Sequence, residues 1–217
     1  MKNPSHSRSQ PLHSSMPVRG AVAFVAILFG HAAVSSDHTG ANPPALHLNR
    51  ASALAFSNDE KSIALAETGG RLSVRRLRDG GVAWTGYHCR LSALAFSKDA
   101  SLLASGGGNR VGETTLKVWA AENGALVMTV TNSIAHPRQV LLSPDNGLLL
   151  ATFEGGAVAC WEIASGQLRW QRTDVGASDF LNFTPRGMMV QFTSTGHAVT
   201  LLHVHDGATV LELAPGG

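Results

Sequence analysis

The segment SALAFSNDEKSIALA that begins at Ser52 returns as SALAFSKDASLLAS at Ser92. It returns with substitutions as QVLLSPDNGLLLAT at Gln139 and FLNFTPRGMMVQF at Phe180. The anchors Ser57, Ser97, Ser143 and Thr184 stand 40, 46 and 41 residues apart. A second set, Gly80, Gly124, Gly166 and Gly207, is spaced 44, 42 and 41 and fixes the same register independently. Units of this length, made only of short apolar runs and turns, cannot bury their faces alone. They must stack on one another, which points to a propeller or another β array.

Each unit reads as four strands. A short apolar run such as Ala53 to Phe56 ends in a Ser-x-Asp turn (Ser57 and Asp59, Ser97 and Asp99, Ser143 and Asp145), where the Asp side chain can bond nearby backbone amides. A second apolar run, Leu102 to Ser105 or Leu148 to Thr152, leads into a Gly-rich turn. The third run alternates with period two, as in Leu116-Lys117-Val118-Trp119, and a fourth follows the turn Gly. The expected fold is all-β: four four-stranded antiparallel blades over 51–90, 91–136, 137–177 and 178–217, forming a partial or open propeller. Inner strands are expected near 52–56, 92–96, 139–142 and 180–183.

These residues resemble the WD-repeat (Trp-Asp, WD40) family of β-propellers. The second unit carries the resemblance best, with LSALAFSKDASLLASGGG, an insertion NRVGET, then TLKVWAAENG; the third keeps Trp161 and the Gly166 turn. The first and fourth units place Arg75 and Leu202 at the Trp position. The resemblance implies that Trp119 and Trp161 are structural and buried between blades, and that Arg75 keeps its charged head in water. The family's Gly-His pair aligns here with Gly86-Tyr87 and its turn Asp with Glu113. The hydrogen-bonded set that braces such blades is therefore expected to be incomplete, coming nearest in Ser105, Glu113 and Trp119. Four blades are few for this family, and an open arc exposes an apolar face at each end. Three explanations are ranked: a fragment of a longer gene, a homodimer completing an eight-bladed ring, and four blades closing alone.

Charge and leader bound the partners. Lys and Arg number 17 against 15 Asp and Glu, but Lys2, Arg8 and Arg19 lie in an acid-free leader, so no strongly basic nucleic-acid-binding domain is implied. The apolar run Ala21 to Val34 has fourteen residues, about 21 Å as a helix, short of the roughly 30 Å hydrocarbon core. With its basic start and small-residue exit it reads as a secretory signal over 16–36, cleaved near Ser35 or Ser36, which leaves no stable membrane span. Residues 1–15 read as an extension or an over-long start, and 37–50 as a linker. The chain is therefore expected to be exported, periplasmic or extracellular, with a signal-anchored form as a variant. Cys89 and Cys160 read as unpaired thiols, since nothing in their spacing pairs them.

Side chains that invite chemistry have bland readings. His203 and His205, with His197, read as solvated rather than metal-ligating, because no carboxylate or Cys spacing accompanies them. Gly106-Gly107-Gly108-Asn109 opens no helix and reads as a turn, not a phosphate cradle. Trp84 and Trp170 fall four residues after the turn Gly, where Met128 and Leu211 stand in the other units, so they read as packing between blades. No nucleophile elbow, metal motif or spaced acid pair appears in a fitting context, and no cofactor is called for. The function expected is a non-catalytic scaffold binding a protein or peptide partner. The binding loops are those that precede the inner strands and those that join second to third strands. They carry Tyr87, His88, Arg90, Asn109, Arg110, Glu113, His136 and Arg138. The alternative is a propeller enzyme, a hydrolase or quinone-dependent dehydrogenase, of which this chain is a fragment.

Overall fold

The computed structural model describes residues 51–108, 113–175, 178–184, 189–193 and 199–213; the leader and linker lie outside them. The described strands fall into four sheets. Blade 1 holds β1 (Ala51–Phe56), β2 (Ser62–Glu67), β3 (Arg71–Arg76) and β4 (Val82–Tyr87). Blade 2 holds β5 (Ala93–Phe96), β6 (Leu102–Gly108), β7 (Thr114–Ala120) and β8 (Leu126–Asn132). Blade 3 holds β9 (Pro137–Leu142), β10 (Leu148–Phe153), β11 (Val158–Glu162) and β12 (Leu168–Arg172). Blade 4 holds β13 (Ser178–Phe183), β14 (Met189–Thr193), β15 (Val199–Leu202) and β16 (Thr209–Leu213). Each sheet is an antiparallel meander in sequence order. The four antiparallel four-stranded sheets in chain order are consistent with an open, partial β-propeller, and the inner strands begin close to where the repeat places them.

The Ser-x-Asp turns share one geometry. The hydroxyls of Ser57, Ser97 and Ser143 donate to Asp59, Asp99 and Asp145 at 2.6, 2.6 and 2.5 Å. The same hydroxyls accept the backbone N–H of Ser62, Leu102 and Leu148, each at 2.9 Å. The serine thus closes the turn and the aspartate holds the serine, which depresses all three carboxyl pKa values below the ordinary range.

Packing between blades explains why the middle strands read as nearly continuous apolar runs: both faces are covered. Blade 1 meets blade 2 through Ala64, Ala66, Leu72 and Val74 against Leu103 and Trp119. Blade 2 meets blade 3 through Leu116, Val118 and Met128 against Leu149, Ala159 and Trp161. Blade 3 meets blade 4 through Leu150, Val158 and Cys160 against Met189 and Leu202. Side chains latch the joints at both ends. Ser52 and Ser92 hydroxyls donate to the Leu91 and Pro137 carbonyls of the next blade, both at 2.8 Å. At the other end Asn58 reaches the Lys98 carbonyl (3.2 Å) and Asn146 reaches Asp99 (2.9 Å).

Trp84 and Trp170 bracket their blades to the next. Trp84 Nε1 donates to the Ala121 carbonyl at 2.7 Å, and Trp170 Nε1 to the Val204 carbonyl at 2.8 Å. Each ring lies on a turn glycine of the neighbouring blade, Gly124 (φ +74°) or Gly207 (φ +69°). A Cβ there would come within 2.6 or 2.7 Å of the indole, so glycine is required twice, for the left-handed backbone and for the ring.

The end faces differ from the interior ones. Leu54 and Phe56 of blade 1 are 36% and 58% exposed, and Leu211 and Leu213 of blade 4 are 44% and 51% exposed. Trp119 and Trp161 are buried, at 7% and 3%. Arg75 corrects its expectation, because its head is withdrawn from water: the side chain is only 20% exposed. Its guanidinium donates to the Gly80 carbonyl (3.4 Å) and lies 4.0 Å from the carboxylate of Glu67. Glu67 is itself buried and accepts the Ser73 hydroxyl at 2.6 Å. The reason is the register: Arg75 pairs with Ile63, so Arg75, Ile63, Leu65 and Glu67 share one face and the acid receives the cation.

Replacing Trp119 or Trp161 by Ala is expected to cost about 3 to 5 kcal/mol, the cavity cost of a buried aromatic. Arg75→Ala is expected to cost about 1 to 3 kcal/mol by leaving the buried Glu67 carboxylate without its cation. Glu67→Gln added to Arg75→Ala then recovers part of that loss. Urea midpoints of the four variants check the order, and a double variant no better than Arg75→Ala alone would refute the pairing.

Candidate functional site

The chemistry-bearing loops meet at the end of the array where β4 and β8 finish and the next inner strands start. At its centre is His88, which follows β4 and is buried at 1% exposure. Its Nδ1 lies 2.8 Å from the Ser105 hydroxyl and its Nε2 2.7 Å from the Thr115 hydroxyl. Trp119 Nε1 donates to the same Ser105 hydroxyl at 2.8 Å. A chain of polar contacts therefore runs from Thr115 through His88 and Ser105 to Trp119, pinning the loop before β5 to the body of blade 2.

This set corrects two expectations. His88 presents no surface to a partner, so it leaves the binding set and joins the structural one. The brace is also complete in blade 2: Thr115 takes the place given to Glu113, and His88 takes the place given to Tyr87. Parity is the reason. Trp84, Gly86 and His88 alternate toward blade 2, whereas Tyr87 points the other way and is 54% exposed.

Burial holds the His88 ring down to about 4, because the imidazolium would lose its hydration, and the Lys117 ammonium adds repulsion. Lys117 is itself depressed by burial. It donates to the Tyr87 carbonyl at 3.2 Å and lies 5.3 Å over the Trp119 ring.

The remaining residues flank this anchor. Arg90 is exposed at positive φ (52°), and its stem passes Gly108 close to the Glu113 backbone. Gly108 N–H donates to the Cys89 carbonyl at 2.8 Å. Glu113 is exposed and Thr114 is buried; the Thr114 hydroxyl donates to the carbonyls of Ile134 (2.8 Å) and Ala135 (3.0 Å), tying the loop before β9 to blade 2. His136 is half-buried and its carbonyl accepts the Glu154 N–H, while Arg138 is exposed at the start of β9. The structure thus gathers Tyr87, Arg90, Glu113, His136 and Arg138 at one end. Asn109 and Arg110 lie outside the described residues.

Elsewhere several titratable groups have structural partners. Arg172 and Asp174 shift each other, the hydrogen bond leading in both, and hold Asp174 down to about 2. Burial pushes the Cys160 thiol up to about 12; Cys89 and Cys160 are both free. His203 and His205 are exposed with rings 5.6 Å apart, and His203 meets Asp206 at 3.2 Å. Among the described residues no group of three His, Cys, Asp or Glu could hold a metal ion, and no helix is long and apolar enough to cross a membrane.

The chain is 31% identical over 100 residues to an uncharacterized WD repeat-containing protein of Synechocystis sp., which covers 45% of this chain and 28% of that protein. It is 28% identical over 86 residues to Protein tipD of Dictyostelium discoideum, covering 40% of this chain and 13% of that one. No family model matches the chain. The matches cover less than a third of the length of either relative. This distant, partial likeness and the four meander sheets agree on a propeller-like fold.

The buried His88 ring makes stability depend on pH with a definite sign. An unfolded imidazole takes its proton near 6.5 and the folded ring only near 4, so the stabilisation from neutral His88 is complete above 6.5. It is lost as pH falls from 6.5 toward 4, by on the order of 3 kcal/mol across that window. Melting temperatures between pH 7 and 4 are expected to fall in the wild type and to fall much less in His88→Asn. Parallel profiles would refute the assignment.

Proposed function

We propose that the chain is a non-catalytic scaffold built on WD-type blades that binds a protein or peptide partner at the end where His88 is anchored. The observation that carries this reading is the anchor itself. A buried ring fixed at both nitrogens holds its loop rigid, so Tyr87 and Arg90 project from either side without ordering cost on binding. An exposed tyrosine beside an arginine, on a pre-organised base, has the composition of a binding hot spot. Glu113, His136 and Arg138 supply a polar rim around it.

In this reading the chain is exported, the basic start, fourteen-residue apolar run and small-residue exit of its leader supporting that route. The exposed Leu54, Phe56, Leu211 and Leu213 call for cover on the two end faces, by further blades or by a second copy of the chain.

Affinity capture on the full chain from a secreted or periplasmic extract tests the site. Tyr87→Ala and Arg90→Glu are each expected to release a partner that the wild type retains, with unchanged melting temperature because both side chains are exposed. Retention by both variants would remove the site, and turnover of a substrate by purified protein would remove the scaffold reading. Intact-mass measurement from the native host tests export: the mature chain is expected to begin near Asp37, and retention of Met1 or Met16 would overturn it.

A further inference from the structure

The three joints between blades are not equivalent. At the first and third, an indole from the outer strand lies on the next blade's turn glycine and donates to a carbonyl two residues beyond the Trp position, Ala121 or Val204. At the second joint that place belongs to Met128, and the turn glycine is Gly166. A Cβ on Gly166 would find nothing nearer than Val130 at 3.7 Å and Met128 at 3.9 Å, against 2.6 and 2.7 Å under the two indoles. The matching carbonyl, that of Ile163, receives no donor among the described residues, although its N–H is bonded to Gly147.

Beside this joint, reaching the Gly166 turn, opens a groove of about 310 Å³. Val130 and Ile134 wall it on the blade 2 side, and Trp161, Leu168 and Gln171 on the blade 3 side, with Gly166 at the turn. Asn132 also lines it, at the place His88 holds one unit earlier. Its Oδ1 accepts the Ile134 N–H at 2.9 Å, while its Nδ2 is buried without an acceptor, so this joint is under-satisfied as well as under-filled. Ala151 and Ala157 stand where blade 2 has Ser105 and Thr115, which removes the partners an Asn132 amide would need.

We propose that this groove is a binding site for an aromatic side chain, an indole, presented by a partner protein. The groove adjoins the blade 2 and blade 3 interface, and the chain shows at its two other joints, with Trp84 and Trp170, which side chain such an interface takes. Its size lies at the lower end for ligand sites, which suits one large side chain rather than an extended cofactor. The half-exposed Leu168 and the Trp161 ring offer apolar walls, and Gln171 at the groove edge offers a polar group to an indole N–H. The site lies apart from Tyr87 and Arg90 and stands or falls separately from them.

Saturation-transfer NMR on the full chain with N-acetyltryptophanamide tests it, with N-acetylleucinamide as the aliphatic control. The indole protons are expected to receive saturation several-fold above the leucine methyls. Met128→Trp, which supplies the indole from within, is expected to abolish that signal while keeping or raising the melting temperature. Leu168→Glu, on a side chain 51% exposed, is expected to abolish it without unfolding the chain, so the test survives if Met128→Trp fails to fold. No transfer to the indole, equal transfer to the leucine probe, or transfer that persists in either folded variant would overturn the site.

Discussion

A sheet of four short strands has two apolar faces, and in this chain almost every other feature follows from the need to cover both. The contact that does so with most specificity is a tryptophan from one outer strand laid on a glycine turn of the next blade. It joins three requirements at one point: a large ring to bury, a left-handed turn without a Cβ to receive it, and a free carbonyl for the indole N–H. Trp84 on Gly124 and Trp170 on Gly207 meet all three. The contact recurs at the first and third joints and seals the interface of one blade on the next there, while the second joint forms without it.

Polar side chains in the blades make sense against that dry setting. Ser105 is fully buried, and its hydroxyl serves His88 and Trp119 together. Each member satisfies the next, so the network rigidifies a loop instead of destabilising a core. Blade 1 solves the same problem differently. With Arg75 at the Trp position its outward face carries a buried ion pair to Glu67 and a bonded Ser73, which gives that end a more polar face than the interior joints have. Both ends also expose apolar side chains, Leu54 and Phe56 on blade 1 and Leu211 and Leu213 on blade 4.

The turns were legible in the amino-acid order because their geometry demands particular residue types at fixed offsets. Ser57, Ser97 and Ser143 each need an Asp two residues on, and a positive-φ turn at Gly80, Gly124, Gly166 and Gly207 admits little else. The brace at His88 was not legible from alignment alone, since the loop between β4 and β5 can absorb one residue of slip. Strand parity contained the signal: Trp84 faces the next blade, hence Gly86 and His88 do too, and Tyr87 cannot. The pairing of Arg75 with Glu67 was hidden for a related reason. It depends on the register of β2 against β3, which places side chains eight residues apart on one face, and composition says nothing about register.

Degeneracy in a repeat therefore has two different physical outcomes. Where a lost side chain is replaced by another that takes up its position, as Arg75 does beside Glu67 in blade 1, the place stays filled even though the Arg75 Nε is left without a partner. Where several are lost together without replacement, the joint keeps its backbone geometry and gives up its filling. Met128 for a tryptophan, Asn132 for a histidine, and Ala151 and Ala157 for hydroxyl residues remove volume and hydrogen-bond partners from the same place. The scaffold tolerates this because the serine latch at Ser92 and the Asn146 to Asp99 contact still tie blades 2 and 3 at both ends. The middle joint is thus free to serve recognition in a way that its neighbours, sealed by their own tryptophans, are not.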